Sequence, residues 1–297
     1  MIAIGCGLGA ALCFGTGDYL VQRLTHRHGA MSAMFAVQVA SLLVLASVGA
    51  AWHGAPTASP ELVRSVIVIG LINTLGMVGL YRAFESGKLS LVSPIAGSMG
   101  AFTVAFAWLA GSPPPGVVIP GLLAVVLGIV IASVVAEPSE RHGAPKLHRA
   151  LGVGWALLSA AGFGWVFSVL GQHSVELGPV WTIALLRLVA IVLLIVLARP
   201  LRVRTTAVLG REPPQPSSRG RTLAIACLDS AGMVLIAIGG SREAQPGEAA
   251  VVAVLASSFP LITIALARVY LHEGLRWWQW IGVALVLVGV AWVSAIY

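Results

Sequence analysis

Four charged residues lie inside long apolar stretches of this sequence: Asp18, Arg187, Asp229 and Arg268. A charge within the hydrocarbon region of a membrane is costly, so each is a candidate functional residue by default. Arg268 lies three residues from the end of its stretch, where its long side chain can reach water. We therefore expect a structural role for Arg268, and the other three remain the candidates for chemistry.

The two aspartates come from different halves of the chain. At 1.5 Å of rise per residue, Asp18 lies about 6 Å and Asp229 about 10 Å from the same side of the predicted helices. Two carboxyl groups at comparable depth could form a shared site for a cation or a proton. The alternative is structural, with Asp18 as an interfacial cap and Asp229 paired with a neighbouring helix. The sequence leaves both interpretations open.

Arg187 lies about 10 Å in from the opposite side. Its guanidinium group could hold a substrate carboxylate or phosphate in a planar bidentate pair. Alternatively, it neutralises an acid and holds the two halves of the protein together, which is the interpretation we slightly favour. The internal repeat described below places Gln38 near the matching position of the first half, as a neutral partner.

Several uncharged side chains could complete a cavity around these groups. Ser and Thr in apolar helices more often bond their own backbone or join helices. Trp165 occupies the position of Asp18 in the second half and could offer a cation–π face, although core packing is the commoner role. Both repeats keep Ser98/Ser258 and Thr103/Thr263, which favours these pairs. The candidates are Tyr19, Asn73, Tyr81, Ser98, Thr103, Trp165, Ser257, Ser258 and Thr263.

The elements that position these residues are predicted to be membrane-spanning helices. Of the 297 residues, 58% are hydrophobic and only 10% are charged. Soluble domains carry about a quarter charged residues, so a soluble enzyme, a nucleic-acid binder and a disordered chain are excluded. Apolar runs of about 20 residues predict helices, since barrel strands are about half as long. Ten helices are predicted: 2–22, 31–52, 65–81, 91–110, 116–136, 150–171, 179–198, 222–240, 249–271 and 277–296.

The sequence repeats itself. Residues 87–108 align with 247–268 at an offset of 160, with identities that include Ser98/Ser258 and Thr103/Thr263. We predict an all-α integral membrane protein with ten transmembrane helices in two inverted five-helix repeats, 1–136 and 150–297, joined by the linker 137–149. An odd number of spans per repeat inverts the second repeat relative to the first. Inverted repeats place a binding site at their interface near the midplane.

The end of the second repeat carries a recognisable pattern. Residues 256–290 contain Pro260 and Thr263, a short Leu271-His272-Glu273 loop, and then Gln279, Gly282 and Gly289-Val290. This pattern resembles the EamA family of the drug/metabolite transporter superfamily, as do Phe14–Leu24 and Leu185-Leu186-Arg187. The resemblance covers essentially the whole chain. It implies export of amino acids, drugs or metabolites, or uptake of a small amine, with no chemical conversion.

Basic residues predict the orientation in the membrane. Of 18 Lys and Arg residues, 14 lie at the odd-numbered connections, and the even-numbered ones hold only Arg64 and Arg242. The positive-inside rule places the basic connections in the cytoplasm, which puts both termini of a ten-span protein outside. The family resemblance implies termini inside. We favour the charge bias, because it is large and most of the connections are short.

The leading hypothesis is a secondary transporter that moves a small polar, cationic or zwitterionic metabolite (an amino acid, amine or drug) by alternating access, with proton-coupled export. The alternative is a membrane enzyme or lipid-headgroup carrier acting on a lipid-linked substrate. All seven histidines fall in loops or at helix ends, and no metal-binding or Walker-type motif occurs. We therefore expect no catalytic residue, cofactor, metal or nucleic acid. We expect a monomer or homodimer in the cytoplasmic (inner or plasma) membrane.

Overall fold

The described residues of the chain are almost all helical. The computed structural model describes residues 2–52, 59–86, 89–111, 115–133, 146–198, 216–241, 248–271 and 277–296, and no strand occurs within these ranges. A 3₁₀ turn, Gly116–Val118, precedes the sixth α-helix. The α-helices are α1 (Ile2–His28), α2 (Ala30–Trp52), α3 (Pro60–Ser86), α4 (Leu89–Gly97), α5 (Met99–Leu109), α6 (Ile119–Ser133), α7 (Lys146–His173), α8 (Pro179–Ala198), α9 (Pro216–Gly240), α10 (Glu248–Ala256), α11 (Phe259–Leu271) and α12 (Trp277–Ile296).

This is an all-helical, multi-pass membrane protein. Seven stretches within the described ranges are long and apolar enough to cross a membrane, and shorter apolar helices occupy 95–109 and 116–128. Each of the ten stretches predicted from the sequence is helical over most or all of its length. That all ten stretches cross the membrane stays a prediction.

Prolines and glycines set several helix ends. α3, α8 and α9 all begin at a proline, which has no N–H to leave unpaired and a backbone angle that suits the first turn. The start of α9 at Pro216 corrects the sequence-based boundary, which placed residues 216–221 in a loop. The first connection is also shorter than predicted, because α1 continues to His28 and Gly29, at φ 77°, is the whole link to α2. Residues 134–145 and 199–215, which hold most of the two long predicted connections, lie outside the described residues.

Two helices that the sequence predicted to be continuous are interrupted. The stretch 91–110 divides into α4 and α5 at Ser98, and the stretch 249–271 divides into α10 and α11 at Ser257 and Ser258. Pro260 explains the second break, because proline cannot donate to the carbonyl four residues earlier. Periodicity alone could not locate these breaks, since hydrophobic residues continue through both.

The two interruptions cross each other at close range. A Cβ atom added to Gly97 would lie 2.6 Å from Cγ of Pro260, and one added to Gly100 would lie 2.6 Å from Oγ of Ser257. Only glycine permits this separation, because any larger side chain would displace the facing helix. The half-helices α4/α5 and α10/α11 therefore meet in the centre of the bundle.

Helix contacts between the two halves come in matched pairs. α1 packs on α9, α10 and α11, and α7 packs on α3, α4 and α5 in the same way. α2 packs on α8, and α6 packs on α12. A single core of buried apolar residues extends through most of the bundle. The elements from both halves thereby surround one central space.

Candidate functional site

A cavity with about 440 Å³ of empty space, which includes open solvent at its mouth, lies between helices of both halves. α1, α3, α4 and α5 line it from the first half, and α7, α9 and α11 line it from the second. Most of its side chains are aromatic or aliphatic, and two carry carboxyl groups. The lining residues are Phe14, Asp18, Met77, Leu80, Ala96, Met99, Phe163, Phe167, Asp229, Met233 and Phe259.

Three phenylalanine rings form one wall of the cavity. Phe167 of α7 stacks on Phe14 of α1 with 6.1 Å between ring centroids and 13° between ring planes. Phe163, one turn earlier on α7, stacks on Phe167 at 6.1 Å and 22°. Such ring pairs contribute about 1 kcal/mol beyond their buried area. The wall thus joins α1 to α7 and gives the cavity an apolar face.

Asp18 is the carboxyl group on the α1 side. It is 7% exposed, and its Oδ2 atom has no hydrogen-bond partner among the described residues. The charge of Asp229, which lines the same cavity, acts on it. An isolated buried carboxylate costs several kcal/mol. Asp18 therefore requires a proton, a cation or water as its companion.

Asp229 has a protein partner, in contrast to Asp18. Its Oδ2 atom lies 2.7 Å from Nη2 of Arg187 on α8. The N–H bonds of Arg187 do not point at this oxygen, so the contact is an ion pair without an aligned hydrogen bond. The carboxyl side chain is 18% exposed and the guanidinium only 1%. Asp229 thus lines the cavity, and the buried Arg187 neutralises it from outside the cavity lining.

Gln38 of α2 completes this arrangement. Its Oε1 atom accepts a hydrogen bond of 3.3 Å from Nη1 of Arg187, and both side chains are buried. The sequence predicted Gln38 near the position that matches Arg187, and the two residues contact each other directly. The guanidinium group is therefore held from two sides, by an amide of the first half and a carboxylate of the second.

Tyr81 lies next to the charged groups. It is 1% exposed, and its hydroxyl has no hydrogen-bond partner among the described residues. The charges of Asp229, Arg187 and Asp18 all act on it. Buried polar atoms without a protein partner are rare in folded proteins and commonly meet water or a ligand. Tyr81 is therefore a candidate donor beside the cavity, although it does not line it.

Positions that match between the two halves carry the same side chain in one case and different side chains in another. A spacing of 156 residues relates Met77 to Met233, and both line the cavity (233 − 77 = 156). The same spacing relates Asn73 to Asp229. Asn73 is fully buried, and neither polar atom of its amide has a partner among the described residues. The charged Asp229 of the second half thus corresponds by spacing to the neutral amide of Asn73 in the first half.

The predicted hydroxyl residues bond the backbone and do not line the cavity. Thr103 donates to Met99 at 3.0 Å, and Ser98 donates to Ile95 at 2.7 Å. Their repeat partners do the same: Thr263 lies 3.2 Å from the carbonyls of Phe259 and of Gly15, Ser258 donates to Leu255 at 2.6 Å, and Ser257 donates to Ala253 at 2.7 Å. Hydroxyl groups in apolar helices usually satisfy their protons in this way.

Two predicted aromatic residues lie elsewhere. Tyr19 turns towards α11, where its ring lies 5.7 Å from that of Tyr270, and the guanidinium of Arg23 lies 4.9 Å from its centre. Trp165 lines a separate groove between α3 and α7. The sequence matched Trp165 to Asp18 in the repeat, but the aromatic residues of α7 that line the cavity with Asp18 are Phe163 and Phe167. The side chain of Arg268 lies outside the described part of the structure.

Sequence reasoning missed the apolar part of the site. Phe14, Phe163, Phe167 and Phe259 look like ordinary core residues in an apolar sequence, and so do the three lining methionines. The match between Met77 and Met233 was the one usable signal, because both repeats place methionine at the same position. Charge identified the polar groups, and only packing could identify the surface around them.

The fold and the cavity define a class: a multi-pass helical membrane protein with a central cavity lined by both halves of the chain. Residues 1–134 and 150–295 match the model of the EamA-like transporter family, and the chain belongs to that family. This confirms the resemblance stated for residues 256–290.

Comparison with solved structures supports the fold. One structure, described only as the crystal structure of a protein, matches with a TM-score of 0.74 at 15% sequence identity. The match covers 99% of this chain and 97% of that one. At this identity the likeness concerns the fold alone. A search of curated proteins found no match.

Proposed function

We propose that this protein is a secondary transporter that exports a small amphipathic cation or zwitterion in exchange for protons. The observation that carries the proposal is an apolar cavity with a carboxyl group, Asp18, that has no partner among the described residues. Membership of a transporter family supports the general activity. Substrate class, coupling and direction are the proposed part.

The proposed architecture is ten transmembrane helices in two inverted repeats. The matched packing of α1 on α9 and of α7 on α3 supports a twofold relation between the halves. The family model matches the chain in two parts, which also agrees with a repeat. The interrupted helices α4/α5 and α10/α11 cross at the centre, where discontinuous helices commonly form the substrate site of secondary transporters.

The two carboxyl groups would have different tasks. Arg187 already neutralises Asp229, so binding a cation there requires the ion pair to rearrange. Asp18 has no such competitor. A proton and a cationic substrate can therefore compete for Asp18, and this competition is what exchange transport requires: the carboxyl releases one when it binds the other. Alternating access would then carry each of them across in turn.

The apolar walls indicate what the rest of the substrate looks like. The stacked rings of Phe14 and Phe167 and the side chains of Met77 and Met233 suit an aromatic or aliphatic body. The ring faces also attract a positive charge. A substrate with a bulky apolar body and an ammonium group fits this combination better than a strongly hydrated metabolite does.

Groups behind the cavity would favour a zwitterion among such substrates. Arg187 has an Nε atom without a hydrogen-bond partner among the described residues, and the same is true of Nε2 of Gln38 and the hydroxyl of Tyr81. These atoms are donors, as a substrate carboxylate requires. An ammonium group at Asp18 and a carboxylate towards Arg187 would satisfy both sets of groups.

A ligand screen followed by flux measurements tests this proposal. The purified full chain is screened by thermal shift against aromatic and aliphatic amines, amino acids and neutral analogues. Each hit is then assayed for efflux from proteoliposomes under an imposed pH gradient. We expect stabilisation by amphipathic amines or amino acids and flux that depends on the gradient.

The variant Asp18→Asn is the decisive comparison. It removes the charge and keeps the shape, so we expect the gradient-dependent flux to fall by at least about tenfold, as loss of a charge-assisted contact implies. Glu61→Gln, which changes an exposed acid at the start of α3, is the matched control and should transport like the wild type. Unchanged proton dependence in Asp18→Asn would refute the coupling role. Hits restricted to neutral or anionic solutes would refute the substrate class.

A further inference from the structure

A second groove, separate from the central cavity, lies between α3 and α7. It holds about 580 Å³ of empty space, which includes open solvent on its open side, and no described residue lines both spaces. Arg64, Ser65 and His173 form its polar end, near the first turns of α3 and the last residue of α7. Its other walls are apolar: Val68, Ile69, Val169 and Trp165.

We propose that this groove binds an anionic phospholipid, with the phosphate at Arg64 and His173 and one acyl chain along Val68, Val169 and Trp165. The charge pattern of the sequence draws attention to Arg64. The even-numbered connections hold only two of the 18 basic residues, and Arg64 is the one within the described ranges. A base on the side that is otherwise poor in bases calls for a specific role, because it does not serve the orientation signal.

The polar end has groups available for a phosphate. Arg64 is exposed, and it forms no ion pair with any described residue. Guanidinium binds phosphate oxygens through two parallel N–H groups. Nδ1 of His173 lies 2.9 Å from the carbonyl of Val169, which leaves Nε2 free for the groove. That atom accepts a headgroup hydroxyl when the ring is neutral and donates to phosphate when it is protonated.

Two acids stand near this end and do not line the groove. Glu176 accepts a hydrogen bond of 3.2 Å from the backbone N–H of Ser59, which holds the start of α3 to the turn after α7. Glu61 lies in the first turn of α3, three residues before Arg64. Neither residue is among the side chains that face the groove. The charge offered to a ligand there is therefore that of Arg64, with His173 beside it as a polar group.

The apolar part continues in the direction that an acyl chain takes. Val68 lies about 6 Å deeper than Arg64 along α3, and Trp165 lies about 12 Å deeper than His173 along α7, at 1.5 Å per residue. Val68 is 46% exposed, so this wall faces the surroundings of the bundle. A phospholipid with its phosphate at the membrane surface and an acyl chain in the hydrocarbon region changes from polar to apolar in the same direction as the groove. A free inorganic phosphate would leave the lower part of the groove unused.

Native mass spectrometry of the full chain tests the proposal directly. The protein is purified in a mild detergent and titrated with phosphatidylglycerol, phosphatidylcholine or glycerol phosphate. We expect one tightly retained phosphatidylglycerol per chain, and no retained glycerol phosphate. Arg64→Gln should lower the affinity for phosphatidylglycerol by about tenfold, which is the loss expected for one charge-assisted phosphate contact. Arg64→Lys should keep part of the affinity, because the charge remains and the bidentate geometry is lost.

A matched variant separates a built site from general attraction to a charged protein. Arg219→Gln changes an exposed base at the start of α9 and should retain the lipid like the wild type. Equal retention of phosphatidylcholine, or an Arg64→Gln variant that retains phosphatidylglycerol unchanged, would overturn the proposal. Retention of glycerol phosphate with the same affinity would show an anion site without a lipid. Thermal shift of each variant without lipid identifies any that fail to fold, and His173→Gln then provides a second independent test.

Discussion

The Nη2 atom of Arg187 lies 2.7 Å from Oδ2 of Asp229, which joins α8 to α9 beside the central cavity. Asp18, which lines the same cavity as Asp229, has no comparable partner among the described residues. The two acids therefore differ in a way that their sequence context does not reveal. One is held in an ion pair, and the other is available to a ligand.

Removal of Arg187 should destabilise the protein by leaving Asp229 without its partner. Breaking a buried ion pair from one side costs about 3 kcal/mol or more, and the 18% exposure of Asp229 should reduce this cost. We expect Arg187→Gln to lower the free energy of unfolding substantially, and Arg187→Gln with Asp229→Asn to lower it less than Arg187→Gln alone. Equilibrium unfolding in detergent, arranged as a double-mutant cycle, measures the difference.

Two results would contradict this account of the pair. If the double variant is as unstable as the sum of the single variants, the two side chains do not interact. If Arg219→Gln, which removes an exposed base, is as destabilising as Arg187→Gln, the loss reflects net charge and not the ion pair.

The aromatic wall should contribute to ligand affinity. Phe14→Leu keeps an apolar side chain and removes the ring that stacks on Phe167. We expect the affinity for an aromatic or ammonium ligand to fall by about fivefold, which corresponds to about 1 kcal/mol for one ring contact. Titration calorimetry with a ligand from the thermal-shift screen measures the dissociation constant.

Phe106→Leu is the matched control for the aromatic wall. Phe106 also stacks on a phenylalanine, Phe102, at 6.5 Å, but it does not line the cavity. An equal loss of affinity in both variants would indicate a general packing defect. An unchanged affinity in Phe14→Leu would show that the ligand does not contact this wall.

The sequence allowed the helices and the charged groups to be predicted, but not the way they meet. Hydropathy located every helical stretch, because lipid requires long apolar helices. Asp18 and Asp229 were recognised since a charge in such a stretch is rare. The helix breaks at Ser98 and at Ser257–Ser258 were missed, because apolar residues continue through both stretches. Pro260 was a local signal for the second break, since proline cannot donate to the carbonyl four residues earlier.

The predicted hydroxyl residues do not line the cavity, for a related reason. Ser98 and Thr103 were candidates because the repeat keeps them at Ser258 and Thr263. A repeat preserves packing as well as function, and the four hydroxyl groups bond backbone carbonyls at the interruption or in the helix that follows. Whether a hydroxyl group lines the cavity depends on the direction in which its side chain points from the helix axis. An alignment of one sequence with itself does not give that direction.

The crossing of the interrupted helices should tolerate no side chain at Gly100. An added Cβ would lie 2.6 Å from Oγ of Ser257 and 3.0 Å from Cα of Val254. We expect Gly100→Val to reduce the free energy of unfolding by about 1–3 kcal/mol through overpacking. Gly154→Val is the matched control, since nothing lies within 4 Å of an added Cβ there. Partial recovery in Gly100→Ala combined with Ser257→Ala would locate the clash, and equal stability of the two valine variants would contradict it.

The distribution of basic residues predicts that both termini lie outside the cytoplasm. Basic residues cluster at one end of the bundle, with Arg27 in the last turn of α1 and Arg219 and Arg221 in the first turns of α9. The family resemblance implies the opposite orientation, so a reporter experiment distinguishes the two.

A fluorescent reporter after Tyr297 should remain dark and alkaline phosphatase at the same position should be active, because each reporter works on only one side of the membrane. Reporters inserted at residue 140, in a connection on the basic side, should give the reverse pattern. Fluorescence at the C-terminus with active phosphatase at residue 140 would show that the charge bias does not set the topology, whereas identical results at both positions would show that the number of crossings between them is even.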